Sequence, residues 1–214
     1  MKPLKFLITA GPTREPLDPV RFISNPSTGK MGFALAQAAT EAGHTVCLIA
    51  GPTPLQPPPV QELKPITTAE QMKNAVLKKL QNTHALIMAA AVADYRPKSF
   101  SKSKIKKTED TQTLTLIRTP DILVAASSNK GSRVHIGFAI ETENTIENAQ
   151  AKLNSKKLDL IVANQLDAQN APFGTDTNRA TLLWRNGRIE ALPTMTKHEL
   201  AQHIIQAVVN SYGR

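Results

Sequence analysis

Short apolar runs alternate along the chain with segments whose apolar residues recur at helical spacing. Runs of strand length occupy residues 5–10, 45–50, 84–92, 134–140 and 158–163. Segments with helical spacing occupy residues 33–42, 69–81, 120–127, 145–154 and 196–209. Such alternation is typical of βαβ units, in which helices connect parallel strands. The pattern therefore predicts an α/β protein with a Rossmann-like, doubly wound and mostly parallel sheet.

Two segments depart from this alternation. Residues 180–184 and 188–192 flank Asn186-Gly187, a typical tight turn, which predicts a C-terminal hairpin. Residues 98–119 form a basic loop followed by an alternating stretch, which predicts an antiparallel arm or flap beside the sheet. We expect one domain over residues 1–214, in which 98–119 is a basic flap and the dimerisation arm of a homodimer.

A long polar loop separates the first strand from the first helix. Ser27 or Thr28 is a suitable N-cap for that helix, and Gly29 and Gly32 allow backbones to approach closely. Free N–H groups at the helix start suit an anion, most simply a phosphate. The G-x-G-x-x-G spacing is absent, and Gly29-Lys is not followed by the Ser or Thr of a P-loop. Such a loop is able to cover a second ligand beside a nucleotide, and an ordinary surface loop is the alternative.

The composition narrows the class of protein. With 214 residues and 41% hydrophobic content, the chain is able to bury one substantial core. Cys47 is the single cysteine, which excludes an intramolecular disulfide, and its apolar neighbours predict a buried core thiol. The chain has neither a run of about 18 apolar residues nor a signal peptide, which predicts a soluble cytoplasmic protein without membrane contact.

The net charge of +9 raises the question of a nucleic-acid partner. However, the lysines form short clusters, within 98–107 and 152–157, without interleaved aromatic residues or a DNA-binding motif. Small phosphorylated ligands suit these clusters equally well, and solvated surface accounts for many of the lysines. We therefore expect no nucleic-acid partner.

Polar residues follow the third predicted strand, where a parallel sheet binds its ligands. The small side chains of 89–91 allow a flat ring to reach the backbone, and Asp94 is placed to bind a ribose hydroxyl or a magnesium ion on phosphates. Tight packing and an N-cap aspartate are the alternatives. Lys104 and Lys106 share a face of an extended segment, where they either neutralise phosphates or protect an edge strand.

Weaker candidates lie at the same sheet edge. Lys152 and Lys156 are one helical turn apart, and Phe138 lies near the end of its predicted strand. Asn164 and residues 173–176 are further candidates to line the site, with plain loop structure as the alternative. The five histidines show no metal-ligand spacing, and no Ser/His/Asp arrangement suggests acyl-enzyme chemistry.

Seven short segments spread over nearly the whole chain carry the most specific signal. They are Ala10-Gly-Pro-Thr-Arg-Glu, Ile23-Ser-Asn-Pro-Ser-Thr-Gly-Lys-Met-Gly, Ala90-Ala-Val-Ala-Asp-Tyr, Lys104-Ile-Lys-Lys, Pro120-Asp-Ile, Gly137-Phe-Ala and Leu158-Asp-Leu-Ile-Val-Ala-Asn. In this order they resemble the phosphopantothenate–cysteine ligases, also called phosphopantothenoylcysteine synthetases, of coenzyme A biosynthesis.

The resemblance implies a reaction in two steps. The carboxylate of phosphopantothenate attacks the α-phosphate of CTP to give an acyl-cytidylate and pyrophosphate, and the amine of cysteine then displaces CMP. The chain follows the bacterial pattern of the family, which implies CTP as co-substrate with Mg²⁺ or Mn²⁺. This chemistry needs charge neutralisation and orientation of two ligands rather than a covalent nucleophile.

The resemblance also implies roles for individual residues. Asn25 would bond to the acyl group and help its attack by cysteine, and Lys104 would contact the nucleotide during activation. Asn25, Ser27 and Gly29 would bind phosphopantothenate, and Asp94 would also hold the metal through phosphates. The residues implied in nucleotide binding are Gly11, Met88, Ala89, Ala90, Asp94, Lys104, Pro120, Asp121, Ile122, Leu123, Phe138, Lys152 and Lys156.

Many bacterial members of this family are fused to an N-terminal flavin-dependent decarboxylase. Because Met1 lies just before the first strand, we expect a standalone ligase or an excised domain, with no flavin and no decarboxylation. A separate flavin-dependent decarboxylase is then a candidate partner.

Two other classes of function remain open from the residues alone. A nicotinamide oxidoreductase uses the same fold, but the chain lacks G-x-G-x-x-G and a Tyr-x-x-x-Lys pair. A nucleic-acid-binding module is suggested only by charge and would show steeply salt-dependent binding.

Overall fold

The fold is an α/β sandwich around one eight-stranded sheet. The computed structural model describes residues 2–107, 110–165 and 173–212. The helices are α1 Lys30–Glu41, α2 Ala69–Leu80, α3 Ile122–Ser127, α4 Thr145–Ser155 and α5 Lys197–Ser211. The strands are β1 Lys5–Ala10, β2 Arg14–Pro16, β3 Phe22–Ser24, β4 Thr45–Ala50, β5 Glu62–Pro65, β6 Ala85–Met88, β7 Tyr95–Pro97, β8 Leu116–Arg118, β9 Val134–Glu141, β10 Leu160–Gln165, β11 Thr177–Asn178, β12 Ala180–Trp184, β13 Ile189–Ala191 and β14 Met195–Thr196.

The order of strands confirms the predicted doubly wound class. The sheet runs β13-β12-β10-β9-β6-β1-β4-β5, and the six strands from β10 to β5 are parallel. When these six strands are numbered along the chain, their order across the sheet is 3-2-1-4-5-6, the arrangement of dinucleotide-binding folds. The order reverses between β1 and β6, and ligands of such sheets bind in the crevice outside this switch point.

Helices cover both faces of the sheet because the side chains of a strand alternate between its faces. In β1, Phe6 and Ile8 pack into the core layer that contains α1 and α5. Leu7 points to the opposite layer, which contains α2, α3 and α4. Both faces of the parallel strands are therefore buried, which explains their continuous apolar sequences.

Two helix starts follow the sequence signals closely. Thr68 and Thr196 cap α2 and α5, each in a capping box with the residue three positions further on, Gln71 and Glu199. Asp121, expected inside the first turn of α3, is instead the N-cap, and its side chain accepts the N–H of Val124. Local hydrogen bonding is enough to fix such ends.

The start of α1 corrects the prediction of a Ser27 or Thr28 cap. The N-cap is Gly29, which has a left-handed backbone with φ of +83° and makes no side-chain cap hydrogen bond. Ser27 bonds to the N–H of Gly29 instead, at 3.3 Å. Gly32 lies against β1 so closely that an added Cβ would be 2.5 Å from the Cβ of Ala10. The approach of α1 to the sheet, rather than a local cap, sets this helix start.

The long loop after β1 is folded rather than loose. It contains the β2–β3 hairpin, and Pro12 forms a bridge with Ala91 beside β6. Glu15, which is 1% exposed, accepts the first N–H of α2 from Ala69 at 2.8 Å. These contacts attach the loop to two neighbouring elements of the sandwich.

The antiparallel additions were predicted only in outline. The C-terminal hairpin forms β12 and β13 around Asn186-Gly187 and extends the main sheet. The flap strand is short: Leu116–Arg118 pairs antiparallel with Tyr95–Pro97, and the Lys98 and Thr119 N–H groups add one backbone hydrogen bond at each end. Residues 108 and 109 of the 98–119 segment lie outside the described ranges.

Cys47 is only partly buried, contrary to the prediction of a core thiol. Burial, followed by the nearby Glu62 carboxylate, raises its pKa to about 11. The thiol is therefore protonated at neutral pH and is a poor nucleophile. Within the described ranges, none of the helices has the length and apolar character needed to cross a membrane.

Candidate active site

A cavity of about 850 Å³ opens at the carboxyl edge of the sheet, beside the switch point between β1 and β6. One wall comes from the loop and first turn of α1, residues 25 and 27–32. The floor comes from the end of β6 and the residues after it, 88–92. The opposite wall comes from the start of α3, from Phe138 on β9 and from α4. The volume lies in the upper part of the range for small-molecule sites.

The wall formed by α1 suits an anion. The first turn of α1 has no acidic residue and no side-chain cap, so its N–H groups are available to a ligand. The positive end of the helix dipole faces the same side. Asn25 lies next to this turn and donates its side-chain N–H to the Val92 carbonyl at 3.2 Å, which links the loop to the floor.

Two lysines reinforce this wall. Lys30 and Lys197 are the first residues of α1 and α5, and both line the cavity. The Lys30 ammonium contacts Asp176 at 2.7 Å and the Gly174 carbonyl at 3.0 Å. Lys197 is 5% exposed and donates to the carbonyl of Thr175. Burial, and then the nearby Lys30 ammonium, hold the pKa of Lys197 below its usual value.

The opposite wall carries a second pair of lysines. Lys152 donates to the Phe138 carbonyl at 2.9 Å, and burial followed by the nearby Lys156 charge lowers its pKa. Lys156 contacts the Asp121 carboxylate at 2.9 Å. Burial raises the pKa of Asp121, but the N–H of Val124 and the Lys156 ammonium outweigh it and leave the pKa low. This wall therefore presents cations that are already held in place.

Two buried asparagines line the cavity between these walls. Asn164 is the second-to-last residue of β10 and is 3% exposed, and Asn178 is 2% exposed. The side-chain oxygen of each has no hydrogen-bond partner among the described residues. Since a buried polar atom is costly without a partner, these positions are suited to a ligand with hydrogen-bonding groups.

The cavity brings together most of the predicted site residues. Those on its wall are Asn25, Ser27, Gly29, Met88, Ala89, Ala90, Asp94, Pro120, Asp121, Ile122, Leu123, Phe138, Lys152 and Lys156. Asn164 and Phe173, for which a loop role was the alternative, also lie there. These positions come from elements distant in sequence, which only the folded sheet assembles.

Two predicted residues lie elsewhere in this structure. Gly11 lies behind the wall formed by the start of α1. A Cβ added to Gly29 would be 3.3 Å from the Cα of Gly11. Lys104 is exposed on the flap, next to Ile105, whose backbone contacts Asp18 and Arg21 on the β2–β3 hairpin. Their roles in nucleotide binding stay predictions.

Sequence reasoning missed Lys30, Lys197 and Asn178 as wall residues. The two lysines had a usable signal, because a cation in the first turn opposes the helix dipole and therefore suggests an anion nearby. Asn178 had no such signal, since its burial depends on the packing of β11 against β14.

The acidic groups of the cavity suit a metal ion only if a ligand supplies most of the oxygens. Among the described residues, no group of three or more His, Cys, Asp or Glu side chains forms a metal cluster. Asp94 lines the cavity as an exposed carboxylate. This donor set fits Mg²⁺ bound chiefly through phosphate oxygens and water.

The fold and the cavity define a Rossmann-like α/β protein with a ligand site at the switch point of its sheet. Residues 1–212 match the DNA/pantothenate metabolism flavoprotein C-terminal domain, and the chain belongs to this family. The coenzyme A biosynthesis bifunctional protein CoaBC of Bacillus subtilis (strain 168) is 45% identical over 203 residues, which are 94% of this chain and 50% of that protein. The chain thus spans about half the length of the curated relatives it matches.

Solved structures show the same fold. The crystal structure of the C-terminal domain of a CoaBC protein is 38% identical, covers 99% of this chain and 96% of its own, and has a TM-score of 0.84. A variant of Cab2 in complex with phosphopantothenate-cysteine has a TM-score of 0.78 at 19% identity, covering 98% of this chain and 86% of its own. At that identity the second likeness concerns the fold alone.

Proposed function

We propose that the chain is a CTP-dependent phosphopantothenate–cysteine ligase of coenzyme A biosynthesis. The observation that carries the proposal is the cavity, whose two walls each present a pair of lysines and one of which adds an uncapped helix start. Membership of the family and the similarity to CoaBC proteins support the same pathway. A triphosphate and a phosphorylated acid need two such cationic walls in one site.

In the first step, the carboxylate of phosphopantothenate attacks the α-phosphorus of CTP. A new acyl C–O–P bond forms, the bond from the α-phosphorus to the bridging oxygen breaks, and pyrophosphate leaves. Lys152 and Lys156 neutralise charge on the nucleotide, and Lys104 supports activation from the flap. Mg²⁺ or Mn²⁺, when bound through phosphates near Asp94, supplies further charge neutralisation.

In the second step, the amine of cysteine attacks the acyl carbon of the cytidylate. A C–N bond forms, the acyl C–O bond breaks, the amine loses a proton and CMP leaves. Asn25 bonds to the acyl oxygen, on which negative charge develops in the transition state. Because Asn25 already donates to the Val92 carbonyl, its amide is held near the floor before the ligand arrives.

The remaining parts of the proposal concern the ligand subsites. The N-terminal turn of α1, with Ser27 and Gly29, binds the phosphate of phosphopantothenate. The backbone of Met88, Ala89 and Ala90 and the start of α3 hold the nucleotide base and ribose, with Gly11 supporting the turn behind them. Flavin has no part in this reaction.

The proposal includes two protein partners. A second copy of the chain binds through the 98–119 flap, which carries exposed apolar side chains. A flavin-dependent decarboxylase supplies the neighbouring step, in keeping with the bifunctional relatives.

Pyrophosphate release tests the function directly. The chain should release pyrophosphate with phosphopantothenate and CTP, more slowly with ATP, and form the amide only when cysteine is added. Release without phosphopantothenate, or oxidation of a nicotinamide cofactor in an absorbance assay, would contradict the proposal.

A further inference from the structure

A buried carboxylate away from the cavity wall joins the hairpin to the flap. Asp18 lies in the turn between β2 and β3 and is 2% exposed. Its Oδ1 accepts the N–H groups of Val20 at 2.8 Å and Arg21 at 2.9 Å, and its Oδ2 accepts the N–H of Ile105 at 3.1 Å. Burial raises the pKa of Asp18, but these three N–H groups and the Arg21 guanidinium outweigh it, and the pKa is lowered.

The contact with Ile105 fixes the middle of the basic segment through its backbone. While its N–H donates to Asp18, its carbonyl accepts from the guanidinium Nη2 of Arg21 at 2.8 Å. The N–H of Ser101 donates to the Leu17 carbonyl at 3.0 Å, which adds a second attachment. The side chains of Lys104 and Lys106, on either side of Ile105, are exposed and not used in this docking.

The same hairpin leads into the cavity. β3 ends at Ser24, directly before Asn25, and the Ser24 hydroxyl donates to the Thr13 carbonyl at 2.8 Å. At the base of the hairpin, the Arg14 N–H donates to the Thr67 carbonyl at 2.7 Å. The hairpin is therefore a fixed support that carries Asn25 at one end and the Lys104 segment at the other.

The turn itself does not require both oxygens of Asp18. An Asx-type turn is complete when one side-chain oxygen accepts the following N–H groups, as Oδ1 does here. The Oδ2 contact with Ile105, 87 residues further along the chain, serves the docking of the flap. The two functions of the carboxylate are thus separable by substitution.

We propose that Asp18 is a positioning residue, which fixes the Lys104 segment on the hairpin that leads to Asn25 and so positions Lys104 for the activation step. This inference rests on the proposed function. Without the Ile105 contact, the Lys104 segment keeps its charge but is no longer held at one position on the hairpin. A misplacement of about 1 Å in such a group is enough to lower a rate about 100-fold.

The test uses Asp18→Asn, which keeps one oxygen for the turn. The new NH₂ group faces the N–H of Ile105, so two donors oppose each other, and the charge that attracts Arg21 is lost. We expect the kcat for pyrophosphate release to fall about 10- to 100-fold, with the KM for phosphopantothenate changed less than about threefold. Trypsin should also cut faster within residues 102–107. Asp110→Asn, at an exposed aspartate on the same flap, is the matched control and should behave as the wild type.

A double variant separates positioning from a general loss of structure. If Asp18 acts through Lys104, adding Asp18→Asn to the Lys104→Gln variant should lower its kcat by less than about twofold, because both changes remove the same effect. A double variant whose loss of kcat equals the product of the two single losses would overturn the proposal. A kcat for Asp18→Asn equal to that of the wild type would overturn it as well. If Asp18→Asn does not fold, Ile105→Pro decides, since it removes the N–H donor and fixes φ at residue 105 while it leaves Asp18 and its turn unchanged. It should lower kcat alike, and wild-type activity would overturn the inference. A wild-type chain that releases no pyrophosphate would instead refute the proposed function.

Discussion

The cationic side chains of the cavity show how single residues are adapted to a ligand. Lys30 and Lys197 begin their helices, where a positive charge opposes the helix dipole. Lys152 is held in place by a carbonyl and has a lowered pKa because of burial and Lys156. Lys30 is offset by the Asp176 carboxylate at 2.7 Å, whereas the partly buried Lys152 and the buried Lys197 are held by carbonyls, with pKa values below the usual one. Because burial opposes the charge of these two lysines, a bound anion would favour their charged form.

Asn25 gives the first prediction at this scale. Asn25→Asp removes the N–H that donates to Val92 and places a negative charge beside the acyl group. We expect pyrophosphate release to continue, acyl-cytidylate to accumulate and amide formation to slow about 100-fold, as for the loss of an oxyanion donor. Quenched-flow analysis of the products measures both steps. Asn186→Asp, in the exposed turn of the C-terminal hairpin, is the control. Full amide formation by Asn25→Asp would show that the role is wrong.

His135 gives a prediction for pH. Its side chain is fully buried, neither ring nitrogen has a hydrogen-bond partner among the described residues, and burial followed by the Lys130 charge lowers its pKa from 6.5 to about 4. Below pH 6.5 the unfolded chain binds a proton that the folded chain does not. The free energy of unfolding should therefore fall by about 2 kcal/mol between about pH 7.5 and about pH 5.

Urea titration at the two pH values measures this effect. His135→Leu removes the titrating group and should lose the corresponding part of the pH dependence, while the other titrating groups remain as an internal control. An unchanged pH dependence in this variant would contradict the interpretation of His135.

At the scale of the element, helix starts differ in what determines them. The starts of α2 and α5 are fixed by capping boxes within four residues, so their sequences alone identify them. The start of α1 is fixed by its approach to β1 and by the left-handed Gly29. A helix that presents free N–H groups to a ligand has to forgo a side-chain cap.

Gly32 gives the prediction for this element. In an ordinary helix, Gly→Ala stabilises by about 1 kcal/mol. Here the new Cβ would be 2.5 Å from the Cβ of Ala10 and 2.8 Å from the Thr9 carbonyl, both fixed by the strand. Gly32→Ala should therefore destabilise by about 1–3 kcal/mol in thermal unfolding.

Gly137→Ala is the matched control for this clash. Its added Cβ meets Leu158 Cδ1 at 2.7 Å, the end of a flexible side chain that is able to move. We expect a smaller loss of stability than for Gly32→Ala. Equal losses would mean that backbone proximity to β1 is not what excludes a side chain at Gly32.

At the scale of the whole molecule, the two hairpins form an exposed apolar region. The β2–β3 hairpin lies beside the β7–β8 hairpin. β2 contacts β7, and the Ser101 N–H donates to the Leu17 carbonyl. The large apolar side chains exposed on these hairpins and their loops are Val20, Phe22, Tyr95, Phe100, Leu114 and Leu116. An apolar region of this kind is typical of an interface, which agrees with the proposed dimerisation arm.

Charge on this region tests the dimer. Val20→Lys combined with Leu116→Lys adds two cations to side chains that are 61% and 42% exposed, so the monomer should fold normally. Sedimentation analysis should show the wild type as a dimer and the variant as a monomer. Ile189→Lys, at a 53% exposed side chain on the far edge strand β13, is the control and should remain dimeric. A wild-type monomer would refute the interface.

The sequence predicted the sheet and the helices well because each has a local cause. The continuous apolar runs of β1, β4 and β10 and the capping threonines of α2 and α5 act within a few residues. It predicted the flap poorly, since β8 pairs with Tyr95–Pro97, a segment for which no strand was predicted. It missed Asn178 because the burial of that side chain comes from the pairing of β11 with β14, which no local pattern indicates.

The sequence by itself determined the alternation of strands and helices, the turn at Asn186-Gly187 and the motifs that resemble a ligase family. These depend on periodicity and short-range hydrogen bonding, which act before the chain is compact. Only the tertiary structure decided which strands became neighbours, how the loop folded into a hairpin, and which lysines face one cavity. Those outcomes depend on contacts between residues more than 50 positions apart, such as Asn25 with Val92 and Asp18 with Ile105. Packing of the whole sheet, rather than any local pattern, brings such pairs together.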